Sequence, residues 1–316
     1  MNKALNILVT GCGGDIGQSI GKILLKTKYT KNLFGIDISD KNAAQFIYPN
    51  FSVGLRFTHP DYLKSLELFI EEHAIDIIIP IAEPELRFFA DQNIFHTIGR
   101  AKVIIASSLA LDIGFDKFKT AEFLKNMNLP FPETFLAKGL KNIKSFPVIL
   151  KSKTGSGSKS IHKINSMDEF LFYTRNEIEN YIVQEFIIDK NGEFTCGLYR
   201  SSVGEIRSQI FKRELTGGYS GYGEVIENND ITCLLEKLAV KLDLVGSINI
   251  QLRISENLPK IFEINPRFSS TVLYRHLLGF EDLLWSIEDK LRYQLSDYNV
   301  NSIGKKFYKG FEEYIK

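Results

Sequence analysis

Three cysteines in 316 residues, Cys12, Cys196 and Cys233, are too few and too scattered for a disulfide framework, and none forms a CxxC pair. The five histidines, His59, His73, His96, His162 and His276, show no HxH or HExxH spacing, so a structural metal is not expected. Neither sign of charge dominates: 39 Lys and Arg against 38 Asp and Glu leave a formal net charge of +1. That gives no reason to expect nucleic acid or an anionic membrane as partner, whereas small anions need only a local cluster of donors. Long apolar runs are also missing. The opening MNKALNILVTGCGG carries one lysine and a short apolar run before glycines interrupt it. This is too short for a signal peptide or a bilayer span, and a cytoplasmic protein is the expectation.

What remains is ordinary core-forming material, 44% hydrophobic and 24% charged, in a 36.0 kDa chain long enough for two or three packed units. The first hundred residues alternate strand-like and helix-like segments. NILVT, LFGIDIS, IDIIIPI and KVIIAS read as buried strands; Ile16, Ile20, Ile23 and Leu24 fall on one helical face, and residues 60–73 form a second helix. This alternation predicts an α/β unit with a Rossmann-like, doubly wound parallel sheet over residues 1–109. A helix over 115–129 stops at PFP, and from 147 onward strands come as antiparallel pairs. PVILKSK pairs with KSIHKI, EFTCGLYRS with IRSQIFKREL, and SINIQLRI with PKIFEIN, which predicts an α+β remainder.

The segment TGCGGDIG (10–17) sits between strand and helix, and Asp37 ends the second strand where a ribose-binding acid would stand in a dinucleotide site. A dehydrogenase of that type needs a YxxxK pair, and no tyrosine here has a lysine four residues later. The turn therefore reads as a tight strand-to-helix junction.

The chemistry concentrates in FEINPRFSS (262–270), where Glu263 and Asn265 share a strand face and Arg267 follows just past Pro266. Folding SINIQLRI back on this strand brings Gln251 opposite Glu263. Oxygens from Gln251, Glu263 and Asn265 suit a hard divalent cation shared with phosphates, with Arg267 as a charged fork. PVILKSKTGSGSKS leads a strand into a loop, Gly155, Ser156, Gly157 and Ser158, able to fold backbone N–H groups over phosphates, with Lys151 reaching in. In YIVQEFI, Gln184 and Glu185 interrupt an apolar strand and need partners, which an adenine edge and a ribose can supply.

Taken in order, DKFKT, LPFPET, PVILKSKTGSGSKS, IVQEFI, EFTCG, SINIQ and FEINPRFS resemble the ATP-grasp superfamily over roughly residues 110–290, and EINPRFS resembles its carbamoyl phosphate synthetase large-chain branch. The resemblance implies a Rossmann-like domain before the grasp, then a small lobe (110–187) and a large lobe (188–316), both on antiparallel sheets. It implies ATP and Mg²⁺ as cofactors, with Mn²⁺ as the substitute ion. Lys117 and Lys151 would contact the phosphates, with Lys151 also near the adenine. Loop 154–160 would cover the phosphates. Gln184, Glu185, Phe186 and Ile187 would form the adenine hinge, and Glu193 would hold the ribose hydroxyls. Gln251, Glu263 and Asn265 would ligate Mg²⁺, Arg267 would stabilise the transferring phosphoryl group, and Lys212 and Arg213 would add phosphate or substrate contacts. Two departures stand out: Lys159 and Ser160 follow Ser158 where relatives continue with glycine, and Ser269, Ser270 and Thr271 replace glycines after the Asn-Pro-Arg run.

The activity implied is an ATP-dependent carboxylate–amine ligase working through an acyl phosphate on small-molecule substrates, with a homodimer as the oligomer considered. An ATP-grasp phosphotransferase and a non-catalytic nucleotide-binding module are the alternatives. LTGGYSGYGEV (215–225), rich in glycine and carrying Tyr219 and Tyr222, is expected to close over the ligand. Glu83, Glu85 and Arg87, at the end of the third strand, are expected to face the cleft.

Overall fold

In the computed structural model, which describes residues 4–155, 161–176, 178–188, 190–298 and 302–315, the apolar runs of the first hundred residues assemble into one sheet. Its strands are β1 (Leu5–Thr10), β2 (Thr30–Asp37), β3 (Asn50–Val53), β4 (Ile77–Pro80), β5 (Thr97–Ile98) and β6 (Ala101–Val103), ordered β3-β2-β1-β4-β6-β5. Neighbours are parallel except β5, which runs antiparallel to β6. Four helices follow the strands: α1 (Asp15–Leu24), α2 (Ala44–Ile47), α3 (Tyr62–Glu72) and α4 (Glu83–Asp91). Alternation along β1 decides which helix covers which face. Ile7 and Val9 pack with Ile20, Ile23 and Leu24 of α1, while Leu8 packs with Leu66 and Ile70 of α3. The expected doubly wound sheet is therefore present, with β3 as an edge strand too short to stand out in the sequence.

The chain then passes through α5 (Ser108–Gly114) and α6 (Lys117–Asn126) into a second sheet. This comprises β7 (Thr134–Leu136), β8 (Val148–Ser152), β9 (Ile161–Ile164) and β10 (Tyr181–Glu185), with α7 (Met167–Thr174) between β9 and β10, in the order β7-β10-β8-β9. The third sheet takes β11 (Glu193–Arg200), β12 (Ile206–Thr216), β13 (Tyr219–Ile226), β14 (Gly246–Ser255), β15 (Leu258–Asn265) and β16 (Lys306–Tyr308), ordered β15-β14-β11-β12-β13-β16. Both sheets are antiparallel throughout.

Helix α8 (Asn229–Lys241), capped by Asn228, lays Leu234, Leu235 and Leu238 on Phe194, Leu198, Ile250 and Leu252. That covers one face of the third sheet and leaves the other for polar side chains. Helices α9 (Val272–Leu277) and α10 (Asp282–Lys290) return to the first sheet, adding Val272, Leu283 and Ile287 to its core. After β16 the chain reaches the N-terminal helices: Lys309 pairs with Asp15, Glu312 lies 2.6 Å from Lys22, and Tyr314 stacks on Phe46 at 5.1 Å. No helix among the described residues is long and apolar enough to cross a membrane.

Candidate functional site

The uncovered face of the third sheet and the carboxyl ends of the parallel strands enclose one cavity of about 1190 Å³. Antiparallel pairing keeps opposed residues on the same face. Across the sheet, Asn265 opposes Asn249 and Glu263 opposes Gln251; Thr195 also opposes Gln251, and Glu193 lies between Arg253 and Arg213. The hairpin thus sets Gln251 beside Glu263, as the sequence spacing requires. A β-bulge lies next to this pair: Leu252 opposes Ile261, so Phe262 is unpaired and its carbonyl is free of the ladder.

Lys151, on β8, fills that vacancy. Its ammonium donates to the Phe262 carbonyl at 3.1 Å, 5.5 Å above the Phe262 ring, and the residue is 4% exposed. Burial pulls Lys151 down to about 8, against Glu263 and Glu193 and helped by Lys117. Lys117 is placed by a cap. The Asp116 carboxylate accepts from the backbone N–H groups of Phe118 and Lys119 at 2.8 and 3.1 Å, fixing Lys117 as the first residue of α6. From there its ammonium donates to the Gly155 carbonyl at 2.7 Å and stands 3.7 Å from Glu263. Burial lowers Arg267 below the ordinary arginine range, while Glu83 and Glu263 oppose that shift. Arg267 thus feels both the N-terminal domain and the hairpin. Three cations converge on one carboxylate.

The remaining expected residues divide into several groups. Gly155, Gln184, Glu185, Phe186, Ile187, Glu193 and Arg213 all line the cavity. Their polar partners come from the protein itself. Gln184 donates to Thr134 Oγ1 at 2.8 Å, and Glu185 accepts from Lys260 at 2.7 Å. Glu193 receives Arg213 at 2.6 Å and Arg253 at 2.9 Å, a carboxylate clamped between two guanidiniums. Arg253 also donates to the Ile187 carbonyl at 3.1 Å, tying the hinge to the sheet. Ser156, Gly157 and Ser158 lie outside the described residues.

Lys212 stands apart. Successive strand residues point to opposite faces, so with Arg213 inside the cavity, Lys212 is exposed on the far side, its stem packed over Gly192. The glycine-rich 215–225 segment is almost entirely β12 and β13, joined by a two-residue turn at Gly217 and Gly218, both with positive φ. Tyr219 reaches the cavity, whereas Tyr222 packs on Tyr308 with ring centroids 5.2 Å apart.

At the parallel-sheet end, Glu83 and Glu85 line the cavity, but Arg87 turns back to pair with Glu83 at 2.8 Å and lies over Phe115. Burial raises Glu85, which accepts hydrogen bonds from Tyr62 and, at 2.8 Å, from Thr10. The Gly13 N–H donates to Asp37 at 2.7 Å, and a Cβ on Gly17 would come within 2.5 Å of Cys12 Cα, so the glycine turn has packing reasons of its own.

Asn249 and Arg253 were not singled out in the sequence, although SINIQLR places Asn249, Gln251 and Arg253 at alternate positions and all three line the cavity. The alternation that exposed Glu263 and Asn265 would have found them.

Among the described residues no group of three His, Cys, Asp or Glu is placed to hold a metal ion. On the hairpin face around Glu263, the oxygens presented to the cavity come from that one carboxylate and the amides Gln251, Asn265 and Asn249. The side chains of Gln251 and Asn265 make no hydrogen bond to another described residue. One carboxylate with free amide oxygens fits Mg²⁺, which keeps most of its shell for water and substrate phosphates.

Residues 115–271 match the ATP-grasp domain family. The carbamoyl phosphate synthase large chain of Caldanaerobacter subterraneus is 27% identical over 197 residues, which cover 54% of this chain and 18% of that one. The matched segment therefore spans less than a fifth of the length of these large chains. The coenzyme gamma-F420-2:alpha-L-glutamate ligase of Methanococcus maripaludis is 31% identical over 229 residues, 70% of this chain and 66% of that one. Among solved structures, N5-carboxyaminoimidazole synthetase from Staphylococcus aureus, complexed with ADP, superposes with a TM-score of 0.75 at 15% identity, over 94% of this chain and 80% of that one. The chain belongs to the ATP-grasp family. Within it, the likeness in sequence runs to carbamoyl phosphate synthase large chains and to the coenzyme gamma-F420-2:alpha-L-glutamate ligase.

Proposed function

We propose that the chain is an ATP- and Mg²⁺-dependent carboxylate–amine ligase acting on small molecules through an acyl phosphate, releasing ADP and phosphate. One observation carries this reading. Lys117, Lys151 and Arg267 surround Glu263 in a cavity that continues past them into the N-terminal domain, so a second substrate has room beside the nucleotide. In domain terms, residues 1–109 supply the acceptor end, and 110–187 and 188–316 the two walls of the nucleotide site.

A carboxylate resists nucleophiles because it is already negative. Attack by its oxygen on the γ-phosphorus forms a C–O–P link, breaks the bond to ADP, and leaves that electron pair on the ADP oxygen. The amine nitrogen then attacks the acyl carbon, phosphate departs with the C–O electron pair, and the nitrogen gives up a proton. Lys117, Lys151 and Arg267 offset the charge on the phosphoryl oxygens in a site already arranged before substrate enters. Gln251, Glu263 and Asn265 would hold Mg²⁺, which supplies further charge neutralisation to the phosphates when bound. An acyl phosphate has to be kept from water, and the nearly complete burial of Lys151 supports a dry wall on that side of the site.

The test is incubation with Mg-ATP, pools of carboxylic acids and hydroxylamine as a generic nucleophile. Hydroxamate together with ADP is the expected outcome, and Glu263→Gln should lose at least about a hundredfold in turnover, as for loss of one preorganised charge contact. ADP without hydroxamate would point to phosphoryl transfer instead. AMP formation, or undiminished turnover in the variant, would overturn the assignment.

A further inference from the structure

Glu85 is a buried carboxylate with no cation beside it. It stands in the first turn of α4, 7% exposed, and lines the cavity at the carboxyl end of β1. Thr10, the last residue of β1, donates to one of its oxygens at 2.8 Å, and Tyr62, the first residue of α3, donates to the other. Burial and the neighbouring Glu85 push the Tyr62 phenol up, so it keeps its proton and serves as a donor. Two neutral hydroxyls thus orient the carboxylate and leave its charge uncompensated. Burial raises Glu85 and Asp37 adds to the rise, against the two hydroxyls. Among the described residues neither Glu85 nor Asp37 forms an ion pair. The cations around them are engaged or solvated: Arg87 pairs with Glu83, Lys309 with Asp15, and Arg56 lines the cavity as an exposed side chain. Buried charges in proteins are normally paired, so an unpaired one on a cavity wall is a place for a ligand to bring the missing charge.

We infer that the nitrogen substrate binds at Glu85 as an ammonium ion, and that Glu85 takes the proton whose loss makes it a nucleophile. Resting on the ligase reading, this adds the class of the second substrate: an amine that is cationic at neutral pH, not an amide or another neutral nitrogen compound. Position favours the role. Glu83, two residues before Glu85 and on the same cavity wall, acts on Arg267, which stands at the phosphoryl end of the site. The acidic wall therefore begins where the acyl phosphate would form, and Asp37 and Glu83 add negative potential on either side of Glu85. In the step itself one N–H bond breaks, its electron pair stays on nitrogen, and the proton passes to a Glu85 oxygen. The nitrogen pair attacks the acyl carbon, the C–O bond to phosphate breaks with its electrons on oxygen, and the second nitrogen proton leaves with the phosphate. Glu85 returns its proton to water when the product departs.

Two measurements on the full chain test this. In the first, the thermal stability of the wild type with Mg-ADP is recorded with ammonium chloride, methylamine, ethanolamine, glycine and glucosamine. Each is set beside its N-acetylated form, whose nitrogen carries no charge, with acetamide as the form for ammonium. Stabilisation by at least one free amine, and not by its acetylated form, is expected. Stabilisation by no amine, or equally by the acetylated forms, would overturn the inference. In the second, the stabilising amine and hydroxylamine compete for the acyl phosphate in the wild type and in Glu85→Gln, which keeps hydrogen-bonding atoms for Thr10 and Tyr62 and removes the charge. Hydroxylamine is uncharged at neutral pH and needs no carboxylate to release its electron pair. The ratio of amide to hydroxamate should therefore fall by at least about a hundredfold in Glu85→Gln. Its Tm should be no lower than that of the wild type, because an unpaired buried charge has gone. An unchanged ratio, whatever the Tm, would overturn the inference by reducing Glu85 to a structural role. Stabilisation by free amines without any hydroxamate or ADP would leave the ammonium site standing and remove the ligase reading.

Discussion

Replacing Lys151 by methionine tests the central electrostatic claim. The ammonium is buried against the Phe262 ring and carbonyl, with Glu263, Lys117 and Glu193 close enough to act on it, and its pKa falls from an ordinary 10.5 to about 8. At about 1.4 kcal/mol per pH unit this is a native-state cost of roughly 3 kcal/mol, of order-of-magnitude quality, carried whenever Lys151 is charged without phosphate beside it. Methionine matches the stem and removes the charge, but leaves the Phe262 carbonyl without its donor, a loss of about 1–3 kcal/mol. Near pH 7 Lys151→Met should therefore be as stable as the wild type or more so, by up to about 2 kcal/mol, while its affinity for Mg-ATP collapses. The sign with pH follows from proton counting. Between about 8 and 10.5 the folded chain has released this proton and the unfolded chain still holds it, so wild-type stability rises relative to the variant. By the top of that window only the missing hydrogen bond remains, and the variant should be the less stable protein. Urea unfolding of both proteins at several values between pH 7 and 10.5, with equal m-values, reads this difference. A difference that stays flat with pH, or a variant already less stable at pH 7, would refute the argument.

Two further outcomes follow from local geometry. Asp116→Ala removes both cap hydrogen bonds and should cost about 1 kcal/mol of stability; because the cap fixes Lys117, KM for ATP should also rise several-fold in steady-state assays. Gly17→Ala drives a methyl to within 2.5 Å of Cys12 Cα and should destabilise by about 1–3 kcal/mol, read as a lower Tm with Mg-ATP affinity unchanged.

The sequence made some features readable because a regular period exposed them. Polar residues at alternate positions of a strand, as at Glu263 and Asn265, have no reason to be there unless that face is used, and the structure sets them opposite Gln251 and Asn249. The βα alternation of the first hundred residues was equally plain, since a parallel sheet covered on both faces needs unbroken apolar runs. What stayed hidden depended on phase or on distant partners. Pro259, Ile261 and Ile264 are the buried residues of β15, and the step of three between the last two marks the bulge at Phe262. Without that shift Ile261 and Glu263 would share a face. Lys212 was misplaced because charge was weighed without asking which side of β12 it occupies. The clamp on Glu193 joins residues 193, 213 and 253, and only the strand order of the third sheet brings them together.

That same sheet ends at β16, three residues paired to Tyr222, Gly223 and Glu224 of β13. An open sheet margin invites strand pairing with another copy of the chain and, from there, aggregation. Here the outermost strand is short and sits among Lys305, Lys306 and Lys309, whose charges would be forced together by an identical neighbour. Short length and like charge thus make this margin a poor place for two copies of the chain to join.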